Sequence, residues 1–136
     1  MTGNEVSLDT SAAVKLLNDL DLASRFLARV GKVYISATAV GELLYGAQNS
    51  ARHQSNVARY KRFIDDCEFI PITHAVAECY ASIRLQLKTK GLPIPEPDIW
   101  IAAAAVANNL PLVTIDVHFT SVQGLVLFPL SEPSPR

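Results

Sequence analysis

The sequence has no apolar run able to cross a bilayer. Its longest, over 99–107, falls far short of the ~20 residues that a membrane-spanning helix needs. It also lacks a basic start followed by an apolar segment, so no export signal is visible and we expect a cytoplasmic protein with no membrane partner. Cysteine is scarce. Cys67 and Cys79 make no close-spaced metal-binding pair, and free thiols in a reducing compartment are expected. No linker, internal repeat or low-complexity segment interrupts the chain. Neither sign of charge dominates: 12 Lys and Arg stand against 13 Asp and Glu, a net charge of −1. That balance does not exclude nucleic acid, because a carboxylate site filled by divalent cations conceals its attraction for phosphate from a formal count. What is present, 136 residues with 49% hydrophobic, suits one domain with one core.

Short, uniformly apolar stretches read as strands over 6–8, 33–35, 69–72 and 111–115, with a weaker one over 126–128. Helical patterns fall between them. They run over 10–20, over 22–30 with a stop at Gly31, from Ser36 or Thr38 through the forties, over 51–66, over 74–90 between Thr73 and Gly91, and over 99–109. Strands alternating with helices argue for an α/β fold in which a parallel sheet is covered on both faces. The domain is expected over 1–130, with a loose C-terminal tail over 131–136.

The segment 91–98, G-L-P-I-P-E-P-D, leads into the alanine-rich helix. Proline disfavours the α region in the residue before it and fits the first turn of a helix. This reading makes Glu96 the N-cap, Pro97 the first helical residue and Asp98 the second, so an acid is fixed where the helix dipole stabilises negative charge. Asp9 follows the first strand and Asp116 the fourth, and Glu42 lies early in the helix after the second. Sites in parallel sheets form at the carboxyl ends of the strands, so these acids can meet at one edge. Packed carboxylates repel and raise one another's pKa unless a cation joins them. An all-oxygen site selects hard ions such as Mg²⁺ or Mn²⁺, which activate water and bind phosphate oxygens. Each acid also has an ordinary explanation: Asp9 and Asp116 as helix caps, Glu42 as a surface residue. The hydroxyls of Thr10, Ser11 and Thr114 either orient the acids or serve as caps.

Four segments together carry a resemblance: L-D-T-S at 8–11, G-E-L-L-Y-G at 41–46, P-E-P-D-I-W-I-A-A-A at 95–104 and T-I-D-V-H-F at 114–119. In order and approximate separation they resemble the four motifs of PIN-domain ribonucleases, and within these the VapC toxins of bacterial toxin–antitoxin pairs. The resemblance covers nearly the whole chain. It implies a three-layer α/β/α fold with a central parallel sheet of about five strands. It implies a Mg²⁺-dependent (or Mn²⁺-dependent) endoribonuclease acting on RNA such as tRNA or rRNA, working as a homodimer. A small VapB-like antitoxin would silence it and bring it to operator DNA. By resemblance Asp9, Glu42, Asp98 and Asp116 take the positions of the acidic quartet, and Glu96 matches a further acid. Pro97 departs from the small polar residue common at its position. His118 matches a position with a structural role, and Trp100 is expected in the core or a dimer contact. Leu43, Leu44, Tyr45, Val57 and Tyr60 would line the antitoxin groove. The rival reading is a PIN domain kept as a regulatory module that acts with its antitoxin on operator DNA without cutting RNA. A haloacid-dehalogenase phosphatase would need an acid where Ser11 stands. A response-regulator receiver would need a lysine after its last strands.

Overall fold

The computed structural model describes residues 4–132; of the tail expected over 131–136, residues 133–136 lie outside the described residues. Strand β1 (Asn4–Leu8) is followed by α1 (Thr10–Asn18) and α2 (Leu20–Arg29), then β2 (Val30–Ser36), α3 (Ala37–Gln48) and α4 (His53–Asp65). Strand β3 (Glu68–Ile70), α5 (His74–Lys90), α6 (Glu96–Ala107), β4 (Leu112–Val113), a 3₁₀ turn (Val117–Ser121) and β5 (Leu127–Phe128) complete the chain. All pairings are parallel and the sheet order is β3-β2-β1-β4-β5. Helices cover both faces, which is the three-layer arrangement expected from the alternating pattern.

Val6, Ser7 and Leu8 of central β1 are all fully buried, as a strand packed on both faces requires. Phe26, Ile35, Leu43, Leu87, Ile101, Leu112, Val113 and Phe119 fill the space around them. β1 pairs β2 on one side and β4 on the other. The order therefore reverses beside β1, and the crevice at that switch point opens at the carboxyl ends of both strands.

Several boundaries differ from expectation. Gly31 does not stop α2, because β2 already begins at Val30 and pairs with Asn4 of β1. β4 is only Leu112–Val113 rather than 111–115, because the Thr114 side chain turns to Asp9 and Ile115 faces solvent. Helix α5 ends as read: Gly91 has φ +66° and Leu92 N–H donates to Leu87 O at 3.0 Å. Leu43 lies in the core, 1% exposed, and so does not line an outer groove.

Glu96 is not the N-cap of α6. Pro95 (φ −56°, ψ 142°) occupies that place, and its carbonyl accepts from Asp98 N at 3.0 Å and Ile99 N at 3.4 Å. Two prolines fit here because N–H groups of the first turn have no intrahelical acceptor to lose. Asp98 thereby becomes the third helical residue, still within the turn where the dipole favours an anion.

Candidate active site

Asp9 leaves the end of β1 in an extended conformation and caps α1, its Oδ1 accepting Ala12 N–H at 2.8 Å. The Ser11 hydroxyl donates to the same carboxylate at 2.8 Å, and the Thr114 hydroxyl donates to Oδ2. Thr114 Oγ1 in turn accepts Asp116 N–H at 2.9 Å, so one threonine ties the end of β1 to the segment after β4. Only 3% of Asp9 is exposed. Burial pushes its pKa up, the hydrogen bonds pull it down, and the nearby Asp116 charge adds to the upward push.

Glu42 lies in the second turn of α3, whose start is capped by Ser36 at the end of β2. Its Oε1 accepts the Thr10 hydroxyl at 2.5 Å, which links α3 to the first residue of α1. Asp98 is partly buried at the head of α6. Its pKa is raised first by burial and then by the Asp116 charge. A hydrogen bond from His118 opposes the rise, and the charges of Glu42 and Asp9 add to it. Asp116 caps the 3₁₀ turn, accepting His118 N–H at 3.0 Å. The charges of Asp116, Glu42 and Asp9 all reach Asp98, so the four acids, from β1, α3, α6 and the loop after β4, face one edge of the sheet, while Asp9 and Glu42 stand outside the tighter group that Asp98 and Asp116 form. The hydroxyls of Thr10, Ser11 and Thr114 hold two of them in place.

Glu96 does not join this group through any described contact. It receives a hydrogen bond from the Tyr80 hydroxyl and lies 3.5 Å from Arg84 Nη1, both on α5. Trp100 stacks on the same Tyr80 ring, with centroids 3.9 Å apart, and so braces α6 against α5.

His118 is the residue that sequence reasoning set aside. Its Nδ1 lies 3.0 Å from Asp116 Oδ1 and 3.5 Å from Asp98 Oδ2. Ligand atoms of Asp98, Asp116 and His118 lie within 4.8 Å of one another. The signal was the D-x-H spacing at a capping turn, which folds the third residue back over the first.

Among the described residues no lysine or arginine pairs with any of the four acids, and His118 is the only basic side chain in ion-pair contact with them. A cluster of carboxylate oxygens with uncompensated charge, held at fixed positions and partly desolvated, fits a hard divalent cation. A groove of about 370 Å³ lined by Thr114, Asp116, Val117, Thr120 and Leu127–Pro129 opens beside Asp116. A second groove, about 640 Å³, runs between α5 and α6 past Cys79, Ile83 and Val106 and includes none of the acids.

The sequence profile of the PIN domain matches residues 6–125. Ribonuclease VapC2 of Rickettsia felis is 32% identical over 111 residues, which cover 81% of this chain and 80% of that one. The tRNA(fMet)-specific endonuclease VapC of Shigella flexneri is 30% identical over 121 residues, 87% of this chain and 92% of that one. Among solved structures, a chain of DNA-bound VapBC from Salmonella typhimurium superposes with a TM-score of 0.87 at 26% identity, covering 94% of this chain and 99% of that one. VapBC2 from Rickettsia felis bound to a promoter DNA fragment gives a TM-score of 0.82 at 27% identity, covering 92% and 98%. The chain belongs to the PIN-domain family, among its VapC ribonucleases.

Proposed function

We propose that this protein is the toxin of a toxin–antitoxin pair, an endoribonuclease that depends on Mg²⁺ or Mn²⁺ and cleaves RNA, of the tRNA or rRNA class, in the cytoplasm. The observation that carries the reading is that Asp9, Glu42, Asp98 and Asp116 face one another at the β1/β4 switch point, and among the described residues no lysine or arginine pairs with them. Asp9 and Asp98 are the principal candidates to hold the ion, with Glu42 and Asp116 completing the site. When bound, the cation supplies Lewis acidity toward a phosphate oxygen and lowers the pKa of water. The chain's own part is to fix the acids before substrate arrives. Ser11 and Thr114 set the Asp9 carboxylate, Thr10 sets Glu42, and the first turn of α6 sets Asp98. A water placed opposite the leaving group gives up a proton to solvent as it attacks phosphorus, the P–O3′ bond breaks, and O3′ takes a proton from solvent. The products carry a 5′-phosphate and a 3′-hydroxyl. Glu96 belongs to the α5–α6 brace rather than to the ion.

The homology to VapC ribonucleases and to VapBC complexes supports a small VapB-like antitoxin as partner, with operator DNA reached through it. The working unit is proposed to be a homodimer. The test is RNA cleavage by the purified protein with Mg²⁺, Mn²⁺ or EDTA, beside an Asp98→Asn variant. Cleavage should need the ion and fall on the order of 10²–10³-fold in the variant, as loss of several kcal/mol of charge stabilisation requires. RNA left intact under every divalent ion, with toxicity unaltered by Asp98→Asn, would sink the reading and favour the regulatory alternative.

A further inference from the structure

Among the described residues, the imidazole of His118 is the one basic side chain in ion-pair contact with the acidic cluster. Nδ1 lies 3.0 Å from Asp116 Oδ1 and 3.5 Å from Asp98 Oδ2, and its side chain is 46% exposed. Ligand atoms on adjacent corners of an octahedron with bonds of ~2.1 Å stand about 3.0 Å apart. The Asp116–His118 separation matches such an edge, and the Asp98–His118 separation needs a shift of about half an ångström. The turn explains the placement. Asp116 accepts His118 N–H, so the 3₁₀ residues wrap and carry the ring back toward the carboxylate.

We propose that His118 is a direct ligand of the divalent cation through Nδ1, and that this nitrogen tilts the site toward Mn²⁺ over Mg²⁺. Carboxylates accept both ions, whereas imidazole binds first-row transition ions far better than Mg²⁺. Without the ion Nδ1 carries the proton that it donates to Asp98; as a ligand the ring is neutral, the ion having displaced that proton, and its remaining proton is on Nε2. This inference rests on the metal-dependent reading of the quartet, and its failure can be told apart from the failure of that reading.

The experiment uses the full chain at pH 8 with Mn²⁺ and Mg²⁺ as probes. Pulsed EPR of the Mn²⁺-loaded protein should show a ¹⁴N coupling that vanishes in His118→Gln. Calorimetric titration should show about tenfold or greater loss of Mn²⁺ affinity in that variant, with Mg²⁺ affinity changed little. Gln keeps a polar group of similar reach, and the exposed position lets the variant fold, which an unchanged melting curve verifies. Mn²⁺ bound without nitrogen coupling, or both ions weakened equally, overturns the ligand role and leaves the acidic site standing. No binding of either ion to the unaltered protein overturns the acidic site together with the inference.

Discussion

Asp98 sits where fold stability and site chemistry pull in opposite directions. Burial and the charges of Asp116, Glu42 and Asp9 raise its folded-state pKa above 3.8, while the unfolded chain keeps the ordinary value. Below that ordinary value both states are protonated and the residue costs nothing. As pH rises between the two values, the folded state holds its proton longer, so stability falls; above the folded value the full cost persists. Asp98→Asn removes the charge. In EDTA the variant should melt above the unaltered protein at neutral pH. The gap should close toward pH 4. Adding Mn²⁺ should raise the melting temperature of the unaltered protein and not of the variant. An Asn variant that melts lower at neutral pH in EDTA refutes the view that these acids repel one another. The four acids could be read from sequence because each lies at a strand end or helix start, places whose relation a parallel sheet fixes. Glu96 and His118 could not. The direction of Glu96 is set by Tyr80 and Arg84 from another helix, and that of His118 by how a five-residue turn coils.

Helix α6 shows the same division one level up. Its existence follows from alanine content and the proline lead-in, but its first residue does not. Sequence logic gave the cap to Glu96, whereas the Pro95 carbonyl opens the helix a residue earlier. Helix α5 was legible at both ends because Thr73 and Gly91 act through local hydrogen bonds. The α2–β2 boundary was not, because pairing with β1 overrides the glycine. The alanines of α6 have a packing reason: Ala102, Ala103 and Ala105 are fully buried in the core. Ala103→Leu adds three carbons where no space exists and should destabilise by about 1–3 kcal/mol, while displacing Asp98 enough to lower activity. Ala107→Leu, at the half-buried end that lines the open groove against α5, should shift stability by only about 0.5 kcal/mol. Thermal melts of the two variants decide it; equal costs would mean that α6 is not wedged by its buried face.

At the scale of the molecule, alternation of strands and helices predicted the covered parallel sheet, but the sequence said little about the outer surface. A net charge of −1 points to no partner. Apolar residues on helices α3 and α4 were read together as an antitoxin wall, yet periodicity cannot tell an inward leucine from an outward one on a short helix packed on two sides. Leu43 turned in, 1% exposed, and Tyr45 turned out, 68% exposed. That contrast gives the antitoxin proposal a sharper form. A large aromatic side chain exposed on α3, three residues beyond Glu42, is the kind of anchor that dominates an interface when it enters a partner's pocket. With the small neighbouring gene product co-expressed, a complex should co-purify. Tyr45→Ala should weaken it by about 2 kcal/mol, roughly 30-fold in Kd. Leu43→Ala should instead act on folding, lowering the melting temperature of the isolated toxin through the cavity it leaves in the core. Surface plasmon resonance and melting curves on both variants separate the two effects. If Tyr45→Ala binds the antitoxin as tightly as the unaltered toxin does, the partner docks elsewhere and α3 serves only to carry Glu42.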